Sequence, residues 1–253
     1  MSLSFDDARD SQLSPAGLDL LDRLGVPATF FVLPDALRDV RQWRAMVEGG
    51  HEIGNHSLRH PCSGNLTFTR HMPLERLTLA DIEADIDDAN RRLEDTVGVA
   101  PRVFAYPCGQ TFVGRGVDTQ SYVPVVARRF LAARTFNDGW TNAPLWCDLA
   151  QVAAIDSDAR RFDDLRVWLD EALAEESWLV LAGHEIGDSG RQTTRPATIE
   201  AVVRWCRSEG VRIATVGAVG ETVATMQTKH GGAIPNVATT DLRSPPTTSP
   251  GDR

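Results

Sequence analysis

Strand-type and helix-type hydrophobic patterns alternate along almost the whole chain, and this alternation constrains the fold more than any other feature. "SLSF" is a short strand, and Ser14-Pro15 reads as an N-cap with proline at the first helical position. Leu18, Leu21 and Leu24 then share one helical face, which stops at Gly25. "ATFFV" is the continuous apolar run of a strand buried on both sides. A helix through Val40, Trp43 and Val47 ends at Gly49-Gly50, and "HEIGNH" follows as the next strand and its exit. Leu79, Ile82, Ile86, Ala89 and Leu93 form one stripe of a longer helix. Asp81, Glu83, Asp85, Asp87 and Asp88 lie largely off it, so the acidic run reads as a solvated face. "RVFAYP", "LAARTF", "QVAAI", "WLVLAGH" and "RIATV" complete the strand series, with helices near 123–130, 162–173 and 199–206. Such β-α repetition gives a parallel sheet with crossover helices, and about seven or eight strands favour a closed barrel over an open sheet. Residues 1–228 form the expected domain; 229–253 carry Pro, Thr, Ser and Gly with little to bury and read as a disordered tail.

Charge and composition exclude several classes of partner. A net charge of −9 and a pI near 5.1 speak against nucleic acid and against polybasic attachment to anionic lipid. No run approaches the roughly 20 apolar residues a membrane helix needs. "MSLSFDD" meets paired aspartates before any signal-peptide core could develop, so the chain as written is expected in the cytoplasm. An upstream segment trimmed from a precursor would instead imply secretion or the periplasm. Cys62, Cys108, Cys147 and Cys206 are widely scattered, without a C-x-x-C pair, which fits neither a disulfide scaffold nor a zinc ribbon.

The unusual polar residues fall at one kind of place. Asp6 and Asp7 follow "SLSF", His56 and His60 follow "HEIG", Pro107-Cys108-Gly109 follow "VFAY", and His184 ends "WLVLAG". In a parallel α/β barrel the C-terminal strand ends converge on one face, where active sites lie. An isolated Asp-Asp pair is usually a solvated turn, and a lone histidine after a strand is often a satisfied core residue. Four coincident placements argue otherwise. The spacing of His56 and His60 puts both rings on one face of a helical turn, able to grip one metal; His51, earlier on the strand, stays outside the set. One carboxylate and two imidazoles leave open metal positions, where zinc lowers the pKa of a water from 15.7 to about 7. The same ligands also describe Fe(II) oxygenases, but a second aspartate beside the first suits hydrolysis, which needs a base for the water's proton.

The ordered set "SFDDA", "HSLRH", "RVFAYPCG" and "LAGH" resembles the polysaccharide deacetylase family with the NodB-type domain, carbohydrate esterase family 4, from residue 3 to about 216. The resemblance implies a distorted (β/α)7-8 barrel and hydrolysis of N-acetyl, sometimes O-acetyl, groups from an amino-sugar polysaccharide or oligosaccharide. It implies Asp6 as general base, and Asp7, His56 and His60 as ligands of a divalent metal (zinc first, with Co2+, Mn2+, Ni2+ and Fe2+ as alternatives). The backbone N–H of Cys108 would help hold the oxyanion, His184 would protonate the leaving amine, and Tyr106 and Pro107 would contact substrate or support the site. Three positions depart from the family pattern: Ala8 replaces the usual glycine, Ala105 stands where an arginine often orients the base, and Cys108 replaces an aromatic. Asp138-Gly139-Trp140 faintly suggests the family's Asp- and Trp-containing motif, and Asp148 and Asp156 are equal candidates to polarise His184.

Two alternatives stay open beside the deacetylase reading: hydrolysis of a small amide or cyclic ureide, as in allantoinase-like relatives, and a non-catalytic carbohydrate-binding homologue. Arg191, in the loop "GRQTTR" soon after His184, is expected either to supply the guanidinium missing at Ala105 or to grip substrate; otherwise it is only part of the loop before the next helix.

Overall fold

A computed structural model describes residues 1–231. The order is β1 (Ser2–Asp6), α1 (Leu18–Leu24), β2 (Thr29–Val32), α2 (Val40–Glu48), β3 (Glu52–Asn55), α3 (Leu79–Val97) and β4 (Val103–Ala105). A small hairpin, β5 (Phe112–Val113) and β6 (Gln120–Ser121), precedes α4 (Val123–Ala127), β7 (Ala132–Arg134), β8 (Ile155–Asp156), α5 (Phe162–Ala174) and β9 (Val180–Gly183). A short pair, β10 (Glu185–Ile186) and β11 (Thr193–Thr194), then leads into α6 (Pro196–Ser208) and α7 (Val216–Lys229).

The main sheet has seven strands in the order β7-β4-β3-β2-β1-β9-β8, all paired in parallel. Its two ends meet. Val152, just before β8, donates to the Ala133 carbonyl (2.7 Å) and accepts from Thr135 N–H (2.9 Å), so the edge strands bridge and the sheet curls into a distorted barrel. Alternation along each strand sorts the core in two. Phe30, Val32 and Leu181 pack outward under α1, α2, α5 and α6, while Phe31, Val180 and Ala182 face an inner cluster with Val103, Ala105 and Ala132. Val216 and Val223 of α7 join that inner cluster, and the N-terminus of α7 is tied to the beginnings of β2 and β3.

Several local expectations are corrected. The first helix begins at Leu18 with Gly17 as N-cap, not at Ser14-Pro15. "RIATV" is not a strand; the Arg212 carbonyl and Ala214 N–H pair with the Met1 backbone, and the helix α7 starts at its last residue. Lys229 still belongs to α7, and the predicted tail from residue 232 lies outside the described residues. Asp85 does not share the solvated acidic face of α3: it is buried at 2% exposure and serves the loop after β3. No helix among the described residues is long and apolar enough to cross a membrane.

Candidate active site

Every predicted ligand and acid-base residue lies at the C-terminal end of a main-sheet strand, and together they line one cleft of about 890 Å³. Asp6 is the last residue of β1, and the chain turns sharply after it, with Asp7 at φ 75° and Ala8 at φ 54°. Alanine in this left-handed region costs roughly 1–2 kcal/mol, which gives a physical reason for a glycine at that position. The turn sends the neighbouring carboxylates to different partners. Asp7 Oδ1 lies 3.5 Å from His56 Nε2 and 3.6 Å from His60 Nε2, and has no hydrogen-bond partner although it is buried. Asp7 Oδ2 accepts from the Arg9 guanidinium at 2.8 Å.

His56 and His60 do not share a helical turn, as the spacing suggested. They sit on a tight loop after β3, with Ser57 and His60 in the left-handed region, and their rings meet edge to face at 4.8 Å. The loop is held from α3 and β3. The Asp85 carboxylate accepts from the Leu58 and Arg59 amides (2.6 and 3.3 Å) and from Arg59 Nε (2.7 Å). Asn55 accepts from Ser57 N–H and donates to the Ile86 carbonyl and to Asn90. His56 Nδ1 faces the Ala105 carbonyl at 2.9 Å, which turns Nε2 toward Asp7. Burial and the adjacent His56 outweigh the nearby carboxylates and push His60 down to about 4, so it is a neutral imidazole at pH 7. For Asp7, burial opposes ionisation, but His56 and His60 outweigh it and hold the carboxyl below its usual range. An ionised carboxylate with an orphan oxygen, facing the outer nitrogens of two histidines, fits a divalent cation. His51 is a structural histidine: its Nδ1 accepts from Ala28 N–H and its Nε2 faces Asp22.

The guanidinium expected from Arg191 comes instead from Arg134, at the end of β7. Arg134 is fully buried, donates to Asp6 Oδ1, Ser4 Oγ and the Thr135 carbonyl, and lies 4.7 Å over the Phe31 ring. Arg191 is exposed and does not line the cleft. The partner of His184 is likewise a different aspartate. His184 Nδ1 lies 2.7 Å from Asp158 Oδ2, while Asp158 Oδ1 accepts from His184 N–H and Thr194 Oγ1. Of the expected candidates, Asp138 binds Thr135 and Ala154, Asp148 caps the turn at Ala150, and Asp156 accepts from Asp158 N–H. Trp140 is exposed away from the cleft. Gly183 explains how Asp158 comes so close: a Cβ there would stand 2.8 Å from Asp158 Oδ1 and 2.2 Å from Thr194 Oγ1. Burial opposes the His184 imidazolium, but the Asp158 hydrogen bond and the carboxylates of Asp6 and Asp7 outweigh it and raise its pKa.

Tyr106 and Pro107 do not line the cleft. Tyr106 packs against Phe104 and Tyr122, with its hydroxyl on the Ala150 carbonyl at 2.8 Å; Pro107 is buried and opens the turn that carries Cys108. Cys108 reaches the cleft wall at φ 54° and is disulfide-bonded to Cys62, a pairing the scattered cysteine spacing did not suggest. Sequence reasoning also missed Phe136, whose ring meets His184 edge to face at 5.4 Å, and Gln12, whose amide donates to the Asp6 and His184 carbonyls.

Comparison with known proteins agrees with this architecture. A family model described as polysaccharide deacetylase matches residues 1–117, the segment holding Asp6, Asp7, His56, His60 and Cys108. The chain is 36% identical over 92 residues to a chitooligosaccharide deacetylase of Sinorhizobium fredii, covering 36% of this chain and 38% of that protein. It is 31% identical over 133 residues to a chitooligosaccharide deacetylase of Bradyrhizobium, covering 52% of each. The chain thus spans about half or less of the curated relatives it matches. The structure of a family 4 acetyl xylan esterase from Clostridium thermocellum in complex with a cobalt ion shares the fold, with a TM-score of 0.58 at 21% identity over 89% of this chain and 90% of that one. Over residues 1–117, which hold the ordered motifs through Cys108, the chain is similar to the polysaccharide deacetylase family, and its curled parallel barrel shares the fold of the family 4 esterase structure.

Proposed function

We propose that the chain is a metal-dependent hydrolase that removes N-acetyl groups from an amino-sugar oligosaccharide or polysaccharide. The observation that carries this reading is the convergence of Asp7 Oδ1, His56 Nε2 and His60 Nε2 in the cleft that also holds Asp6 and His184. Asp7, His56 and His60 would hold a divalent metal, zinc by preference, which would supply Lewis acidity for the hydrolysis.

The chain's own groups do the rest. Asp6, oriented by Arg134, takes a proton from the water as its oxygen bonds to the acetyl carbon. The Cys108 backbone N–H receives the oxygen that becomes negative. His184, oriented by Asp158 and with its pKa raised, gives its proton to the amine nitrogen as the C–N bond breaks, leaving acetate and a free amino sugar. Matches to chitooligosaccharide deacetylases support the substrate class. The test is acetate release by zinc-loaded protein from chitooligosaccharides compared with small cyclic amides. Turnover of the cyclic amides alone would replace the substrate class, and turnover of neither would remove the deacetylase reading.

A further inference from the structure

The Cys62–Cys108 bridge joins two loops that carry different parts of the cleft. Cys62 is fully buried two residues beyond His60, and Cys108 lies in the turn after β4; 46 residues separate them, with Cα atoms 6.1 Å apart. A second link runs beside it, from Ser63 N–H to Gln110 Oε1 at 2.7 Å.

The bridge touches both working parts. His60 Nδ1 lies 3.6 Å from Cys62 Sγ, while the other nitrogen of the same ring faces Asp7. A ligating histidine is oriented by what its second nitrogen meets. For His56 that group is the Ala105 carbonyl; for His60 it is the disulfide sulfur. At the other end, Cys108 holds a left-handed conformation that costs a non-glycine residue roughly 1–2 kcal/mol. Gly109, the next residue, fits so tightly that a Cβ would stand 2.9 Å from Phe136 N. The turn is therefore packed from one side and covalently tethered from the other.

We propose that the Cys62–Cys108 disulfide is a positioning element of the active site, orienting the His60 ring and fixing the Cys108 backbone N–H relative to the metal loop, so that the oxidised protein is the competent form. The inference rests on the hydrolytic reading above. A phosphine reductant would break the S–S bond, leave thiols at Cys62 and Cys108, and itself become a phosphine oxide with oxygen taken from water, releasing the tether on the Cys108 turn while a sulfur stays beside His60. The bond persists in an oxidising compartment and opens in a reducing one. Cys147 and Cys206 are free thiols, so the bridge is the only disulfide for a reductant to act on.

The experiment uses the full chain in three forms: wild type with and without a phosphine reductant, Cys108→Ser, and Cys62→Ala. Zinc affinity is read by competition with a chromophoric chelator, kinetics on an acetylated chitooligosaccharide, and folding by circular dichroism. Cys108→Ser cuts the tether but keeps sulfur beside His60, so zinc affinity should hold while kcat falls on the order of tenfold with KM little changed. That is less than the 10²–10³ lost with an entire oxyanion donor. Cys62→Ala also removes the His60 contact, and zinc should weaken by about tenfold or more. Reduced wild type should behave as Cys108→Ser does and recover on reoxidation. A bridge that merely stabilises the fold would lower Tm yet leave kcat and zinc affinity unchanged below the melt, which would overturn the proposal. If oxidised, zinc-loaded protein releases no acetate from any substrate, the hydrolytic reading fails. The zinc comparison between Cys62→Ala and Cys108→Ser then still decides the role of the sulfur, and equal affinities would reject it.

Discussion

Arg134 and Asp6 form a buried ion pair between β7 and β1, strands four places apart in the sheet, so the pair reaches across the barrel interior. Removing one partner of such a pair strands a charge away from water and costs about 3–5 kcal/mol. Arg134→Met should destabilise by that amount in urea unfolding and abolish turnover. The double variant Arg134→Met with Asp6→Asn should recover much of the stability and none of the activity. Simple additivity of the two stability losses would show that they do not act as a pair.

Asp6 and the histidines should separate cleanly by what each loses. His56→Ala with His60→Ala should strip zinc, measured by elemental analysis of the dialysed protein, while the circular dichroism spectrum stays that of the wild type. Asp6→Asn should retain zinc and lose on the order of 10²–10⁴ in rate. Full zinc occupancy in the double histidine variant would reject Asp7, His56 and His60 as the ligand set.

What the sequence made legible follows from the range of each signal. Hydrophobic period is local, so the β-α alternation and the strand ends carrying Asp6, Asp7, His56, Cys108 and His184 could be read directly. The supporting residues are set by topology instead. Arg134 reaches Asp6 from 128 residues away, and the only hint was a charged residue within the apolar strand "LAARTF". Asp158 lies two residues beyond Asp156, and only the approach of β9 through Gly183 selects between them. Asp85 seemed one more acid on a solvated helix, yet it turns toward the histidine loop. The disulfide was hidden for the same reason, since its cysteines meet only when the loops after β3 and β4 lie side by side.

The Asp158–His184 pair makes a pH prediction. The His184 pKa is raised above its ordinary value near 6.5 because the Asp158 hydrogen bond and nearby carboxylates outweigh burial. As an acid His184 must hold its proton, so the alkaline limb of the rate profile should lie above that ordinary value. Asp158→Asn should move the limb to lower pH. The stability arising from the raised pKa is complete below the unfolded value and lost as pH rises through the folded one. The Tm gap between wild type and Asp158→Asn should therefore be wider at mildly acidic than at mildly alkaline pH. An alkaline limb that stays in place in Asp158→Asn would assign it to another group.

Gln12 supplies the last test, because it joins the base and acid strands at their ends. Its fully buried amide donates to the Asp6 carbonyl at 2.6 Å and to the His184 carbonyl at 2.9 Å, bridging β1 and the exit of β9. Both carbonyls would lose this donor in Gln12→Leu, at a cost of about 1–3 kcal/mol for a buried group left unpaired. The amide's own oxygen has no partner, so removing it offsets part of that loss. Stability should thus fall moderately, while kcat should fall more than KM changes, because the backbone positions of Asp6 and His184 loosen together and the metal ligands do not depend on the amide. Zinc affinity should remain that of the wild type. Gln12→Glu separates hydrogen bonding from charge: an ionised carboxylate cannot donate to either carbonyl, so it should be worse than leucine in both stability and rate. If Gln12→Leu melts lower but turns over as fast as the wild type, the amide is a structural tie alone and the two strand ends hold their catalytic positions without it.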